Sequence, residues 1–335
     1  MIAKRLVVIG ASAGGIEALR SVLAGIPDTF PAAICVVLHT SPESPGVLAD
    51  ILNRSGQVPV SQASDKGRLV AGHVYVAPPD HHLLVEPGRV RVVKGPREHR
   101  FRPAIDPLFR SAAQVFGPAV IGIVLTGNLD DGTAGLWTIK KLGGIGIVQD
   151  PSDAQFSSMP LHALNNVDVD HVVPLSGIAA LLVALTADVR EERERVAVSR
   201  QIDVEVAIAK GESPRAAGLE QLGTPSAYSC PDCHGVLLEL EDDGRIRFRC
   251  HTGHAYSVES LLAAMNEVIE RAIISAVRAL EEGSILMQDV ATQLTERTRA
   301  NESQRLLDSS QRAKQQAEAI RQLLLEPNVV PSARE

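Results

Sequence analysis

Residues 119–125 read Ala-Val-Ile-Gly-Ile-Val-Leu, an apolar run without a polar interruption and too short for a buried helix. Residues 32–38 and 5–9 are built in the same way. A strand with one wet face alternates apolar and polar residues, whereas a continuous run is covered on both faces. Helix-length segments follow these runs, at residues 15–24, 46–53, 105–115, 132–142 and 175–185. Further short strands are expected at residues 58–62, 73–77, 81–85, 89–93 and 145–149, with Glu86-Pro87-Gly88 turning 81–93 into a hairpin. Strand–helix alternation of this kind specifies an α/β fold with a doubly wound, mostly parallel sheet. It occupies residues 1–188.

At 335 residues the chain exceeds what one hydrophobic core organises. Residues 189–228 change character: a charged run is followed by Gly, Pro, Ser and Ala, the composition of a linker. Residues 229–256 hold a cysteine and histidine cluster. Residues 257–325 carry apolar side chains at three- and four-residue spacing, first strongly and then weakly, which predicts a helical hairpin. Residues 326–335 read as a frayed tail. Lys+Arg is 33 and Asp+Glu 40, a net charge of −7 that offers nothing to a nucleic acid. No apolar run approaches the ~20 residues of a membrane span. No signal peptide is read at the N-terminus, so the cytoplasm is the expected location.

Chemistry enters at Gly10-Ala11-Ser12-Ala13-Gly14, a G-x-S-x-G turn between a strand and a helix. Such a turn lifts a serine hydroxyl above the sheet edge, next to the unpaired N–H groups that open a helix. It equally suits a phosphate or a plain tight turn. His39 ends the second strand, and Asp130 and Asp131 follow the strand of residues 119–125. All three sites lie at carboxyl ends of strands, where open α/β sheets bind ligands. A serine nucleophile, a histidine base and an orienting carboxylate could therefore meet there.

Together with Tyr75-Val76-Ala77-Pro78-Pro79-Asp80-His81-His82-Leu83, Phe101-Arg102-Pro103-Ala104-Ile105-Asp106-Pro107-Leu108-Phe109, Leu125-Thr126-Gly127 and Ser158-Met159-Pro160, these residues resemble the chemotaxis protein-glutamate methylesterases, which also deamidate receptor glutamines. The resemblance runs in the same order over residues 5–187. It implies Ser12 as nucleophile, His39 as general base and Asp131, the aspartate directly before Gly132, as the orienting acid. It implies hydrolysis of γ-glutamyl methyl esters on chemoreceptor helices, without a catalytic cofactor, with other array components or a methyltransferase as further partners. Three departures stand out. Ala13 replaces a threonine, Gly127-Asn128-Leu129 replaces Gly-Met-Gly, and the chain starts in the catalytic region with no room for an attached receiver domain. A non-catalytic adaptor that binds receptor or signalling proteins, or an esterase for an unrelated ester, would carry the same residues.

Other polar residues receive plainer readings. His81 and His82 read as surface residues and Asp106 as a helix anchor. The basic stretch Arg97-Glu98-His99-Arg100-Phe101-Arg102 reads as solvated, able to attract an acidic receptor surface. Cys35 reads as a buried small hydrophobe. Met159 and Pro160 read as a loop at the rim of the site.

Cys230-Pro231-Asp232-Cys233 is separated by sixteen residues from Cys250, with His254 after three more. This is the spacing of a structural zinc site. His254 is preferred over His234 and His251 because the x3 spacing lets both side chains converge, whereas adjacent Cys250 and His251 point apart. Residues 236–240 and 245–249 alternate as a hairpin around Asp242-Asp243-Gly244. About thirty residues with so little apolar surface need metal to fold, and zinc supplies roughly 10–16 kcal/mol in comparable sites. The expected module is a zinc ribbon with zinc in a structural role. Arg245, Arg247 and Arg249 are read as balanced by Glu239, Glu241, Asp242 and Asp243. Tails of this pattern also resemble those of receiver-less members of the same family.

Overall fold

The computed structural model describes residues 3–187, 195–242, 244–296 and 299–324. The chain divides into a unit that runs to Ser260 and a second from Leu261 onward. Seven strands form the main sheet of the first unit: β1 (Leu6–Ala11), β2 (Ala33–Leu38), β3 (Val60–Gln62), β4 (Val74–Val76), β7 (Val120–Val124), β8 (Ile145–Gln149) and β9 (His171–Val173). Their order is β3-β4-β2-β1-β7-β8-β9, and every pairing is parallel. β5 (His82–Glu86) and β6 (Arg89–Val93) form a separate antiparallel hairpin.

Helices α1 (Gly15–Ala24), α2 (Leu48–Asn53), α3 (Ile105–Phe116), α4 (Thr133–Lys141), α5 (Ser158–Asn166) and α6 (Leu175–Ala187) connect the strands. The uninterrupted apolar runs have the expected cause. Leu6, Val8, Cys35 and Val37 enter one core, while Val7, Ile9, Ile34 and Val36 enter another. Successive strand residues point to opposite faces, so both faces must be apolar. Cys35 is fully buried, and burial pushes its thiol pKa well up, as befits an inert core residue.

Two expectations require correction. Of the expected linker at 189–228, residues 189–194 lie outside the described residues and the part from 200 onward is not a linker: it forms α7 (Arg200–Ala209), α8 (Pro214–Ala217) and β10 (Gly223–Ser229). Ile202 and Val206 of α7 join the main core, which accounts for order in a segment whose composition looked like a connector. Met159 and Pro160 lie not in a loop but in the first turn of α5, where both are buried. β9 was also missed, being three residues long and only half-buried.

β10 pairs with β11 (Val236–Asp242), followed by β12 (Arg245–Cys250) and β13 (Ala255–Ser257), in a four-stranded antiparallel sheet. The expected hairpin of residues 236–249 is present as β11–β12, although Asp243 of its turn lies outside the described residues. The tail of residues 326–335 also lies outside them.

The second unit is a helical hairpin made by α9 (Val258–Glu296), once past Ser260, and α10 (Ala300–Gln322). Ala291, Ala313 and Ala317 are buried in it, and the Ser284 and Ser310 hydroxyls meet at 2.8 Å. Among the described residues no helix is long and apolar enough to cross a membrane.

Candidate active site

β1 ends at Ala11, and the next residue leaves the sheet. The Ser12 N–H donates to the Thr126 carbonyl after β7, and the Ser12 carbonyl accepts from the Gly15 N–H at the start of α1. Gly14 caps that helix with φ 73°, a left-handed conformation that glycine adopts without strain. Gly127 is constrained by space instead. A Cβ there would lie 2.8 Å from the Ser12 Cβ and equally close to the Met159 side chain. Thr126 ties the loops together: its hydroxyl donates to the Ala13 carbonyl and accepts from the Phe156 N–H.

Parallel pairing of β1 with both β2 and β7 brings the three sequence-predicted site residues to one sheet edge. His39 Nδ1 lies 3.1 Å from Ser12 Oγ. His39 Nε2 lies 2.7 Å from Asp131 Oδ2. The His39 and Asp131 side chains are almost wholly buried. Phe101 stacks on the His39 ring at 3.7 Å and 4°, fixing its plane.

Asp131 is held from below. Its Oδ2 also accepts from the Ile105 N–H at 2.7 Å, and its Oδ1 from the Asp106 N–H at 3.0 Å. Burial alone would raise its pKa. The hydrogen bond to His39, the charges of His99 and His39, and the Ile105 N–H outweigh that and hold the carboxyl below the ordinary range. The arrangement can therefore pass a proton from Ser12 Oγ to His39 Nδ1 while an ionised Asp131 steadies the opposite ring nitrogen.

Asp130, the rival carboxylate, does not reach His39. Its Oδ1 accepts from the Ser257 hydroxyl at 2.9 Å, and burial lifts its pKa to about 6. Asp106 is an anchor, as expected, though for α4: its Oδ1 accepts from the Gly132 and Gly135 N–H groups at 3.0 and 2.6 Å. His82 is not a surface residue. It is fully buried, bonded to the Pro96 carbonyl and the Ala104 N–H.

The basic stretch is not simply solvated. Arg97, Arg100, Phe101 and Arg102 line a cleft of about 440 Å³ with Ser12 and His39. Arg102 also forks onto Asp80. Sequence reasoning missed His99. It is buried, with Nε2 3.0 Å from Asp106 Oδ2 and Nδ1 3.1 Å from the Ser260 hydroxyl. Burial pulls its pKa down, but the bond to Asp106 and the charges of Asp131, Asp130 and Asp106 prevail and raise it to about 10. No local pattern marks this residue, because all its partners are distant in sequence or cross a loop.

In the same unit, Cys230, Cys233, Cys250 and His254 present ligand atoms within 4.8 Å of one another. Cys233 Sγ and Cys250 Sγ are 3.6 Å apart, and His254 Nδ1 lies 3.6 Å from both Cys230 Sγ and Cys250 Sγ. Bond lengths of about 2.3 Å to sulfur and 2.0–2.1 Å to nitrogen give tetrahedral edges of about 3.6–3.8 Å. The donor set thus fits a zinc ion in spacing and in chemistry. His234 and His251 stand outside this group. Arg247 and Arg249 do more than balance the charge of their own hairpin. They turn inward to Glu205 and Glu98.

Residues 7–182 match the model of a family described as CheB methylesterase. A candidate protein-glutamate methylesterase/protein-glutamine glutaminase of Leptospira interrogans is 39% identical over 188 residues, 56% of this chain and 97% of that protein. A protein-glutamate methylesterase/protein-glutamine glutaminase of Yersinia pestis is 38% identical over 185 residues, 54% of this chain and 53% of its own length. The crystal structure of the Thermotoga maritima CheB methylesterase catalytic domain matches with a TM-score of 0.52 at 33% identity, covering 54% of this chain and 98% of that one.

Proposed function

The chain belongs to the CheB methylesterase family, and from that premise we propose that it hydrolyses glutamyl methyl esters, and deamidates glutamines, on chemoreceptor-type helices through Ser12, His39 and Asp131. The observation that carries this reading is the unbroken hydrogen-bond chain from Ser12 Oγ through His39 to Asp131 on the wall of a basic cleft.

Ser12 Oγ attacks the ester carbonyl as His39 Nδ1 takes its proton. The carbonyl oxygen becomes an oxyanion beside the start of α1, whose leading N–H groups lack intrahelical partners. Collapse expels methanol, protonated from His39, and leaves an acyl-Ser12. Water, deprotonated by the same nitrogen, releases the glutamate and restores Ser12. An amide follows the same path with ammonia as leaving group. Arg97 and Arg100 on the cleft wall favour the acidic surface of a glutamate-rich helix.

Cys230, Cys233, Cys250 and His254 would hold one zinc ion in a closed, structural shell. It would support the folding of β10–β13 and touch no reacting atom.

Methanol release from methyl-labelled receptor cytoplasmic fragments tests the activity. Release that Ser12→Ala abolishes is the expected result, and equal release by that variant overturns it. Elemental analysis of metal-replete protein is expected to find about one zinc per chain. A content far below one would remove the metal from this reading.

A further inference from the structure

The four-stranded sheet contributes nothing to the cleft wall among the described residues, yet it reaches the residues behind the wall. The His99 N–H donates to the Ala255 carbonyl at 2.8 Å, and the Ala255 N–H donates to the Arg97 carbonyl at 3.2 Å. The Ser257 hydroxyl donates to Asp130 beside the catalytic Asp131. The Ser260 hydroxyl meets His99 Nδ1. Ser257 and Ser260 are themselves fixed, each main-chain N–H donating to the other's hydroxyl at 2.9 and 3.0 Å. This reciprocal pair caps α9 and aims both side chains.

The receiving loop is under backbone strain. Glu98 and Phe101 close a tight turn through paired main-chain bonds, and its two central residues, His99 and Arg100, have φ of 50° and 74°. Two consecutive left-handed residues suit glycine and asparagine, not histidine and arginine. Such a turn persists only where its surroundings over-determine it. The surroundings are Ala255 and Arg249 of the cysteine-bearing sheet, Ser260 in the first turn of α9 directly after it, and Asp106 and Arg110 of α3 on the opposite side. The turn ends at Phe101, whose ring plane sets His39. Its His99 grips Asp106, whose N–H donates to Asp131.

We propose that Ser257, Ser260 and the Ala255 main chain are positioning groups of the esterase centre: they hold the His99–Arg100 turn, and through it the Phe101–His39 stack and the Asp106–Asp131 contact, so that turnover requires the cysteine-bearing sheet to be folded. This rests on the esterase reading above. It assigns a task to residues that lie outside the matched span of 7–182. The side chains act through others and do not touch substrate.

The test uses the full-length protein with Ser257→Ala, Ser260→Ala and the conservative Ser260→Thr. Three quantities are read: kcat and KM for methanol release, the rate at which a fluorophosphonate labels Ser12, and hydrogen exchange of the 97–101 amides. Small displacements of catalytic groups cost up to about 100-fold in rate. The expected result is a kcat and labelling rate ~10-fold or more lower in the alanine variants, a KM little changed, faster exchange at His99, and recovery in Ser260→Thr. If an alanine variant fails to fold, the labelling rate of wild-type protein treated with a zinc chelator replaces it, with a fall expected. Unchanged or raised kcat in folded alanine variants overturns the proposal while leaving the esterase reading intact. Wild-type protein that neither hydrolyses the receptor ester nor labels at Ser12 overturns both. Labelling without receptor hydrolysis overturns only the substrate, and the variants' labelling rates then decide the proposal.

Discussion

In the seven-stranded sheet, Val7 and Val8 drive into two separate apolar cores, and every neighbouring strand repeats the arrangement. In the four-stranded sheet the corresponding inward positions on β12 are Arg247 and Arg249. The apolar cluster between that sheet and α7 amounts to Val204, Ile208, Leu219 and Leu240 with a few half-buried neighbours. Arg247 forks onto Glu205 at 2.9 and 3.0 Å, while Glu98 accepts from both Arg249 and Arg110. Arg110, Arg249, Glu98 and Glu205 are all 2% exposed or less. The first sheet is thus held by hydrophobic burial, which is non-directional and tolerant. The second is held by buried ion pairs, which punish the loss of one partner severely. Burial organises the platform for catalysis, and charge pairing aligns the added sheet against it.

This contrast is broken most sharply at the two ends of the molecule's chemistry. Ser12→Ala should lower kcat by ~10⁶-fold, the usual loss for a triad serine, with no fall in melting temperature. A coincident loss of stability would show that Ser12 is part of the platform rather than its cargo. Arg249→Leu should act on stability: unfolding free energy falls by about 3–5 kcal/mol, because Glu98 is left buried and short of a partner. Chemical denaturation measures this, and a change under ~1 kcal/mol would mean that apolar contacts dominate the second sheet too.

The pH dependence of stability sharpens the comparison further. His99 has a folded pKa raised to about 10, above the ~6.5 of an unfolded histidine, and faces Asp106, Asp130, Asp131 and the Ser260 hydroxyl, with Arg110 beyond Asp106. Its stabilising contribution is fully present below about pH 6.5 and is lost as pH rises through about 10. Asp130 acts in a lower window: its folded pKa of about 6 is a penalty at neutral pH that is relieved as pH falls through that value. Denaturation midpoints measured from pH 6.5 to 10 should therefore decline in the wild type and much less in His99→Gln. Equal slopes would remove His99 from the network. The smallest effect is expected where charge meets an aromatic surface: Arg245 stacks 3.7 Å over Trp137, and Arg245→Gln should cost about 0.5–1 kcal/mol by the same denaturation assay.

The platform was legible in the sequence because its signals are local. Continuous apolar runs marked β1, β2 and β7, and the carboxyl ends of those runs located Ser12, His39 and the Asp130–Asp131 pair. Residues 200–229 were not legible as structure. α7 is ordered by contacts with α3 and the main core, and its glycine- and proline-containing continuation becomes strand only by pairing with β11. The separation of the two aspartates was likewise not local: Asp131 turns to His39 and the Ile105 and Asp106 N–H groups, while Asp130 turns to Ser257, 127 residues along the chain.

By itself the sequence determined a doubly wound sheet, the edge at which its polar residues gather, and a cysteine–histidine set with the spacing of a metal site. Periodicity and short-range spacing are properties of neighbouring residues, and neighbours are what a sequence displays. Only the tertiary structure decided that Arg247 and Arg249 face inward, that His99 is a buried cation among three aspartates, and that the cysteine-bearing sheet grips the loop behind His39. Buried charges take their partners from whichever segment burial brings within hydrogen-bond reach, and that reach is set by the packed fold and not by distance along the chain.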